Sequence, residues 1–508
     1  MPSGDTSRAG QLAAAAAAVG ATAVAVSLLQ RAGRAAVGCS ARAPHWQRGR
    51  HADLSQQELT ELGTEAIAGL SDAVGLNCAG NRLSAAPVEL AALQRLRTLN
   101  LSGNKLTEFP AAVCALRGLE DLDLGRNEIA SVPADIGHLL RLTALNLQCN
   151  WVGELPPEIG RLRRMVRLGL KGNRLERLPP EIGNLQSLKE LFLSDNQLVA
   201  LPPELGKLKA LVKLQVSWNR LASLPPELGR LLRLELMRVA VNRLAAVPRE
   251  LGDLPRLAWF SLAGNPAARR PPATRKVSSI RAVAFERLPV QAVLGKGASG
   301  DVFLSELDGE AVAVKVFKSE VSPDGHAADE IAITECLDHA CLSRVLGDTQ
   351  EPHAIVLRFV AGATIADRPN SESLLRCRWA PGTSYTAAWV ARVGACVASA
   401  LAYMHARGIC HGDVYAHNIL ADSDGQAVLC DYGASFFYDG EGPGAAIWEP
   451  MEVRAFGLFL EGLAQRIAGG RQPPQLRTLI RQCLAAEPSA RPGFGYVGAT
   501  MTRLVVAS

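Results

Sequence analysis

Apolar residues in the first half of the chain recur with a period of 23 residues. The repeated unit reads L-x-x-L-x-L-x-x-N-x-L, and a proline with the same 23-residue period follows the asparagines from Asn81 to Asn242. A period this regular predicts a stack of equivalent structural units rather than one irregular core. The asparagines are Asn81, Asn104, Asn127, Asn150, Asn173, Asn196, Asn219, Asn242 and Asn265, and the prolines are Pro87, Pro110, Pro133, Pro156, Pro179, Pro202, Pro225 and Pro248.

Each unit predicts one short strand and a return segment, which together are too small to bury their own leucines. Neighbouring units must therefore stack to form a common core. We expect each asparagine amide in a buried corner, bonded to backbone groups of its own turn and of the adjacent unit. The pattern resembles the intracellular leucine-rich repeat. This resemblance implies an α/β leucine-rich-repeat solenoid over residues 53–268, with 53–75 as an amphipathic N-terminal cap.

Strand residues that point away from this core form the predicted concave face. Among them, Phe192 and Trp218 are candidate exposed anchors for a protein partner, unless each packs on its neighbouring repeat. Basic and acidic residues alternate on this face, which argues against binding to a nucleic-acid backbone. The face includes Lys171, Glu190, Phe192, Asp195, Lys213, Gln215, Trp218 and Arg238.

The second half has no such period and instead contains five short motifs in order. The first, a glycine-rich turn, has an apolar strand pattern on both sides, which argues against a strand-turn-helix site for dinucleotides. The motifs are Gly295-Lys296-Gly297-Ala298-Ser299-Gly300, Val312-Ala313-Val314-Lys315, Glu330 in a helical stretch, His411-Gly412-Asp413 with Asn418, and Asp431-Tyr432-Gly433. Together they resemble the protein kinase motif set. The resemblance implies an α+β bilobal protein kinase domain over residues 286–505.

The resemblance also implies ATP and Mg²⁺ as cofactors. Lys315 would contact the α- and β-phosphates, and Glu330 would position it, because its spacing to the following L-x-H turn suits better than that of Glu335. Asp413 would accept the proton of the substrate hydroxyl. Asp431 and Asn418 would ligate the metal.

The nucleotide-binding residues follow from the same resemblance. Val302 and Ala313 would cover one face of the adenine and Leu420 the other, with the hinge at 358–360. The implied ATP-binding set is Gly295, Lys296, Gly297, Ala298, Ser299, Gly300, Val302, Ala313, Lys315, Glu330 and Leu420.

The catalytic loop departs from the family at three positions. Gly412 replaces the arginine that usually meets an activation-loop phosphate, so phosphorylation is not expected to switch the enzyme. Alanine at Ser435 or Tyr438 should accordingly leave activity unchanged. Tyr415 replaces the lysine of serine/threonine kinases, and His417 replaces an arginine common in tyrosine kinases.

The activation segment is shorter than the family's. Glu452 begins a motif resembling that of the family's helix F, and only 21 residues separate it from Asp431. Glu449 would be a remnant of the A-P-E motif and would pair with Arg491. The segment that grips a peptide substrate is thus reduced.

Two functions are compatible with these motifs. The first is an active protein kinase for intracellular signalling, serine/threonine rather than tyrosine specific, whose repeats bind a protein substrate or partner. The second is a pseudokinase scaffold in which the repeats mediate protein–protein interaction.

Composition narrows the setting. The 508 residues are 48% apolar and carry a net charge of +5, which is typical of globular domains and too balanced for a nucleic-acid binder. The 11 cysteines contain no C-x-x-C pair, which argues against a disulfide framework or zinc ribbon and favours an intracellular, reducing compartment.

Residues 1–52 form a leader whose role stays open. Between Asp5 and Asp53 it has arginines but no acidic residue, and residues 12–29 are uncharged over about the length of a membrane span. A transit peptide, a signal anchor that leaves the rest cytoplasmic, and a disordered leader are all consistent with it. Membrane association would therefore use residues 12–29.

Residues 269–285 form a basic, proline-containing linker between the two domains. The linker has no apolar run that could span a bilayer, so both domains are expected on the same side of any membrane. Nothing in its pattern ties the domains together, which predicts two independently folding cores.

Overall fold

The structure, a computed structural model, describes residues 51–268, 280–297, 300–318, 321–322, 325–370, 372–439 and 445–507. The leader up to residue 50, with its apolar stretch 12–29, lies outside the described residues. So do most of the linker and two residues of the glycine-rich turn, Ala298 and Ser299.

The repeats form one parallel sheet of ten three-residue strands, paired in chain order. A leucine occupies the middle of most strands and pairs with the leucine of the next, as Leu122 does with Leu145 and Leu145 with Leu168. These leucines are buried, which confirms the predicted common core. The strands are β1 (His51–Asp53), β2 (Gly75–Asn77), β3 (Thr98–Asn100), β4 (Asp121–Asp123), β5 (Ala144–Asn146), β6 (Arg167–Gly169), β7 (Glu190–Phe192), β8 (Lys213–Gln215), β9 (Leu236–Arg238) and β10 (Trp259–Ser261).

The repeated asparagines have the structural role that the sequence predicts. The Asn173 amide nitrogen donates to Leu147 O and Leu170 O, both at 2.9 Å, and its amide oxygen accepts from Val152 N at 3.0 Å. Similar bonds recur at each of the other eight positions, for example at Asn104. Each amide therefore satisfies backbone groups of its own turn and of neighbouring repeats.

The return segments are short 3₁₀ helices that begin after the repeated proline. The repeated proline is the residue before the first turn and has an extended backbone, as at Pro87 with φ −71° and ψ 152°. Proline suits this place because its ring fixes φ near this value. The segments are Val88–Ala92, Ala111–Ala115, Ala134–His138, Pro157–Arg161, Pro180–Asn184, Pro203–Lys207, Pro226–Arg230 and Arg249–Leu251.

The N-terminal cap consists of β1 and a five-residue helix, α1 (Thr64–Ala68). Strand β1 pairs with β2 in parallel, so the sheet begins at His51 rather than after a purely helical cap. The leucines of this segment, Leu54, Leu62 and Leu70, are buried and cover the end of the repeat core.

The kinase N-lobe is a six-stranded sheet with one short helix, α2 (Ala327–Thr334). Its strand order is β11-β17-β18-β14-β13-β12, in which all neighbours are antiparallel except β11 and β17. A two-residue hairpin pair, β15 and β16, precedes α2. The strands are β11 (Arg281–Ala282), β12 (Ala292–Lys296), β13 (Gly300–Leu307), β14 (Glu310–Phe317), β15 (Val321–Ser322), β16 (Gly325–His326), β17 (Val345–Thr349) and β18 (Ala354–Arg358).

The C-lobe is mainly helical and carries two small antiparallel sheets. Its helices are α3 (Ala387–His405), α4 (Ala445–Ala464), α5 (Pro474–Cys483) and α6 (Phe494–Ala507). The sheets combine β19 (Ala363–Thr364), β21 (Ile419–Ala421) and β22 (Ala427–Leu429), and β20 (Ile409–Cys410) with β23 (Phe436–Phe437). Within the described part of the chain, α3 is the one helix long and apolar enough to cross a membrane. More than half of its apolar segment is buried inside the protein.

The prediction of two independently folding cores was wrong, because residues of each domain are buried in the core of the other. Trp259 of β10 is buried within the C-lobe core, and the kinase residues Phe436, Trp448 and Met451 belong to the core of the repeats. Polar contacts add to this interface, such as that from Arg454 to Arg256 O at 3.1 Å. The linker sequence gives no signal of this docking, because the docking is made by residues outside the linker, such as Trp259.

Arg491 belongs to this interface and does not form the predicted pair with Glu449. Its guanidinium donates to the backbone oxygens of Ala485, Pro450 and, in the repeats, Pro255, at 2.8 to 3.0 Å. Glu449 instead accepts from the Phe494 amide at 2.8 Å, where it bonds the first residue of α6. The domain contact thus takes the place of an internal ion pair.

Candidate active site

Lys315 lies between two carboxylates, of which Glu330 is buried and Asp431 is half-buried. Its Nζ is 2.7 Å from Glu330 Oε1 and 3.3 Å from Asp431 Oδ1, so the predicted pairing with Glu330 of α2 is present. Glu335 lies at the C-terminal end of α2. Burial opposes the charge of Lys315, but the carboxylates outweigh it and raise its pKa above the usual range. Lys315 in turn holds the pKa of Asp431 well below its usual range.

The glycine-rich segment is a turn between two antiparallel strands, as its flanking patterns predict. Strand β12 pairs with β13 through Gly295 with Val302 and Lys296 with Asp301. The Gly297 amide donates to Gly300 O at 2.9 Å and closes the turn. A strand-turn-strand arrangement of this kind covers a phosphate site, whereas a dinucleotide fold needs a helix after the glycines.

A cleft of about 590 Å³ lies between the two lobes. The predicted hinge at 358–360 and the Lys315 cluster both line it. Every predicted nucleotide-binding residue in the described part of the chain lines this cleft, namely Gly295, Lys296, Gly297, Gly300, Val302, Ala313, Lys315, Glu330 and Leu420.

The catalytic loop holds Asp413 through its own asparagine. Asn418 Nδ2 donates to both Asp413 O and Asp413 Oδ2, each at 2.9 Å. This use of the amide nitrogen leaves Asn418 Oδ1 as the atom that the residue can offer to a cation. Asn418 and Asp431 both line the nucleotide cleft, and their side chains carry an amide oxygen and a carboxylate, ligands that suit Mg²⁺.

Glu452 of α4 anchors the start of this loop from below. Its carboxylate accepts from the Gly412 amide at 2.7 Å and from the His411 amide at 3.1 Å, and it contacts His405 Nε2 at 2.9 Å. Burial disfavours its charge, but these partners outweigh burial and lower the pKa of Glu452. Glu452 therefore lies in a helix, as its resemblance to the helix F motif predicts, and that helix packs against the catalytic loop.

The surroundings of Gly412 explain why a glycine stands where the family has an arginine. Its φ is +76°, and a Cβ atom there would lie 2.5 Å from Phe260 O of the repeats and 2.7 Å from Ala434 O. Backbone oxygens of the last repeat and of the kinase domain thus leave no room for a side chain at this position.

Ser435 and Tyr438 are buried, which alters the expectation for their replacement. Ser435 Oγ donates to His411 O at 3.0 Å, and the Tyr438 hydroxyl lies 2.7 Å from His405 Nδ1. Alanine at either position would remove a buried hydrogen bond beside the catalytic loop. These substitutions should therefore lower activity, in contrast to the prediction from the sequence.

The last repeats pack directly on the catalytic loop. Trp259 stacks on Tyr415 with ring centroids 4.4 Å apart and planes 5° from parallel, and its Nε1 donates to Val414 O at 3.1 Å. On β9, Arg238 Nη2 lies 3.2 Å from Asp413 Oδ1. Arg238, which was predicted to face a partner, therefore contacts the protein's own catalytic loop, and Trp259 of β10 contacts it as well.

The predicted aromatic anchors also have partners within the chain. Trp218 makes an edge contact with His326 of the N-lobe, with centroids 5.0 Å apart. The Lys213 ammonium lies 5.0 Å from the Phe192 ring centroid. Trp218 therefore belongs to the domain interface rather than to a free surface.

Between the upstream strands and the catalytic loop lies a second cavity, of about 660 Å³. The repeats contribute charged residues from β4 to β9 to this cavity, and the kinase domain contributes Asp413 and Asp431. We call it the acceptor cavity, because Asp413 is the residue expected to accept the proton of the substrate hydroxyl. Its polar repeat residues are Asp121, Asp123, Asn146, Gln148, Arg167, Glu190, Lys213, Gln215 and Arg238.

Sequence reasoning missed Trp259 and the docking it provides, although a signal was present. The first position of successive strands is polar or small from Thr98 to Lys213, and then becomes Leu236 and Trp259. An exposed column that turns apolar in its last two members indicates a covered surface.

Comparison with known proteins agrees with both halves. A protein kinase domain family matches residues 288–448, and leucine-rich-repeat families match residues 95–116, 119–193 and 167–269. A leaf rust disease-resistance locus receptor-like protein kinase of Arabidopsis thaliana is 34% identical over 149 residues, which are 28% of this chain and 21% of that protein. A probable serine/threonine-protein kinase of Dictyostelium discoideum is 30% identical over 154 residues, 28% of this chain and 22% of that protein.

The chain thus spans about a fifth of the length of these two kinases. Among solved structures, a leucine-rich-repeat protein of Leptospira interrogans matches 41% of this chain and 65% of its own, with 30% identity and a TM-score of 0.30. On the family matches and the fold together, the chain combines a leucine-rich-repeat region with a protein kinase domain.

Proposed function

We propose that the protein is an active, ATP-dependent protein kinase that transfers phosphate to serine or threonine hydroxyls. The cluster of buried Lys315 and Glu330 with half-buried Asp431 is the observation that carries this proposal, because it lines the same cleft as the hinge. Phosphoryl transfer depends mainly on positioning and charge neutralisation, and this cluster supplies both.

Each of the chain's own residues has one task in this proposal. Lys315 holds the nucleotide phosphates, and Asp431 and Asn418 offer oxygen ligands for Mg²⁺, which neutralises phosphate charge when bound. The described residues hold no cluster of three or more His, Cys, Asp or Glu side chains fit for a metal, so phosphate oxygens and water would complete the coordination. Asp413 accepts the proton of the acceptor hydroxyl.

The serine/threonine assignment follows the Dictyostelium relative, whose name carries that specificity. We place the enzyme in an intracellular compartment, where ATP is present and where ten described cysteines would stay free thiols. The repeat strands upstream of β9 are proposed to bind a protein substrate or partner, since the later strands are covered by the kinase domain.

The test is transfer of labelled phosphate from ATP, in the presence of Mg²⁺, by the full-length protein. Lys315→Met and Asp413→Asn should each lower the rate by about 10²–10³-fold or more. Lys207→Met, at an exposed lysine in the repeats, is the matched control and should retain the wild-type rate. Full activity in both site variants would refute the proposal.

A pseudokinase scaffold is the alternative, and one observation favours it. Both oxygens of Asp413 have protein partners, Arg238 on one and Asn418 on the other. This alternative predicts nucleotide binding in the cleft without transfer by the wild-type protein, which the same assay and a calorimetric titration with ATP would reveal.

A further inference from the structure

The catalytic loop itself provides no permanent cation beside Asp413. Its intervening residues 414–417 are valine, tyrosine, alanine and histidine. Tyr415 is buried beneath Trp259 of β10, so an alternative basic side chain at that position would lie in an apolar interface. Transfer of a phosphoryl group nevertheless concentrates negative charge between Asp413 and the metal-side residue Asp431.

The permanent cation that contacts Asp413 comes from the repeats, whereas Arg368 of the kinase domain lies 4.0 Å from Asp431. Arg238 is the last residue of β9, and its side chain is 18% exposed. Its guanidinium contacts Asp413 at 3.2 Å, and it lines the acceptor cavity together with Asp431 and Gly433. Arginine keeps its charge at all relevant pH values, so Arg238 places a permanent positive charge next to Asp413.

We propose that Arg238 is the positioning residue of the acceptor half of the site, holding Asp413 in place and neutralising charge on the phosphoryl group in transfer. The inference rests on the proposed kinase function. It makes the repeats part of the catalytic unit rather than a separate recruiting arm.

Every bond and proton in the transfer step is accounted for by ATP, the acceptor and Asp413. The bond between the γ-phosphorus and its bridging oxygen breaks, and a bond forms between the phosphorus and the acceptor hydroxyl oxygen. The hydroxyl proton passes to Asp413, and ADP leaves with the bridging oxygen. Arg238 stays protonated throughout and changes only its hydrogen-bond partners.

An alternative interpretation makes Arg238 an inhibitor that must withdraw before catalysis. The interface argues against it, because Trp259 and Phe260 are 3% and 1% exposed and Phe260 O packs against Gly412. Interfaces that resemble a continuous apolar core are permanent. A carboxylate also accepts about four hydrogen bonds, so the contacts from Arg238 and Asn418 leave Asp413 room for the acceptor.

The experiment compares full-length wild type with Arg238→Ala, Arg238→Lys and, as a matched control, Arg243→Ala. Arg243 lies in the same repeat on an exposed surface. Phosphoryl transfer to a generic acceptor protein gives kcat and KM, and calorimetry gives the affinities for ADP and for a non-hydrolysable ATP analogue. Thermal melting of each variant verifies that it is folded.

We expect Arg238→Ala to lower kcat about 100-fold while the KM for ATP changes little, and Arg238→Lys to recover part of the loss. Loss of a charge-assisted contact should also reduce the preference for the ATP analogue over ADP by about tenfold. Arg243→Ala should match wild type in both measurements. A merely structural role would not produce the lysine rescue or the change confined to the triphosphate.

Two results would overturn the inference. Arg238→Ala that is as active as wild type, or more active, would show that the arginine is dispensable or inhibitory. If the wild type itself transfers no phosphate, the proposed kinase function fails, and nucleotide affinity decides alone. An unchanged preference for the analogue in Arg238→Ala would then exclude a role for Arg238 at the phosphates, whereas a reduced preference would support it.

Discussion

His417 lies largely buried in the catalytic loop, where Arg368, Arg238 and Asp431 surround it. Burial, and then the charge of Arg368, disfavour its protonated form and hold its pKa at about 4, below the usual 6.5. The unfolded chain therefore binds a proton that the folded chain excludes. The fold should lose stability as the pH falls from about 6.5 towards 4, because protons then favour the unfolded state.

His417→Gln removes this linkage, so its stability should depend less on pH than that of the wild type. The expected difference between pH 7.5 and pH 5 is about 2 kcal/mol for the wild type from this residue alone. Urea unfolding of both proteins at the two pH values measures it, with His138→Gln, at an exposed histidine, as the control. Equal pH dependence in wild type and His417→Gln would contradict the prediction.

Gly412 offers a second test at the scale of one residue. Its φ of +76° nearly equals that of Gly382 at +77°, but a Cβ at Gly382 has no atom within 4 Å, whereas at Gly412 it meets Phe260 O at 2.5 Å. Alanine costs the same backbone strain at both sites. Gly412→Ala should therefore lower the melting temperature and kinase activity well beyond Gly382→Ala, and similar losses in the two variants would mean that the repeats do not press on the loop.

At the scale of the element, the asparagine ladder determines how the strands stack. The Asn173 amide bonds three backbone groups of buried or partly buried residues, and Asn173→Ala would leave them without partners. Unsatisfied buried groups cost about 1–3 kcal/mol each, and partial relaxation should leave a net loss of about 2–4 kcal/mol. Asn184→Ala is the control, because Asn184 is an exposed asparagine at the end of the return segment Pro180–Asn184.

Chemical denaturation followed by circular dichroism measures this difference. Because the repeats and the kinase domain share a core, Asn173→Ala should lower the midpoint of a transition in which both domains take part. A loss confined to the far-ultraviolet signal of the repeats, with kinase activity persisting at the same denaturant concentration, would show weaker coupling between the domains than the packing indicates.

At the scale of the whole molecule, the kinase domain depends on the repeats for part of its surface. A fragment of residues 280–508 would expose the apolar area that Trp259, Phe260 and Leu236 now cover. Exposed apolar patches of this kind promote aggregation. The fragment should be aggregated or less stable than the chain from residue 49 onwards, by size-exclusion chromatography and thermal melting. A monomeric, fully active fragment would refute the shared core.

The parts of this molecule that could be predicted from sequence are those encoded locally. The position of Asn173 and the pairing of Lys315 with Glu330 follow from short spacings, because one repeat or one lobe determines them. Gly412 and the contact of Arg238 with Asp413 depend on residues 152 to 175 positions apart in the chain. No spacing encodes such a contact, and only the apolar change in the strand column indicated it.

The even spacing of the repeat strands gives the acceptor cavity a scale of length. Asp121 in β4 and Arg238 in β9 are five strand steps apart, which at about 4.8 Å per step is about 24 Å. An extended polypeptide covers that distance in about seven residues. An acceptor peptide lying across the strands would therefore contact each strand at a fixed distance from its phosphorylated hydroxyl. Adding or removing one 23-residue unit upstream would change how many acceptor residues are contacted, without altering the chemistry at Asp413.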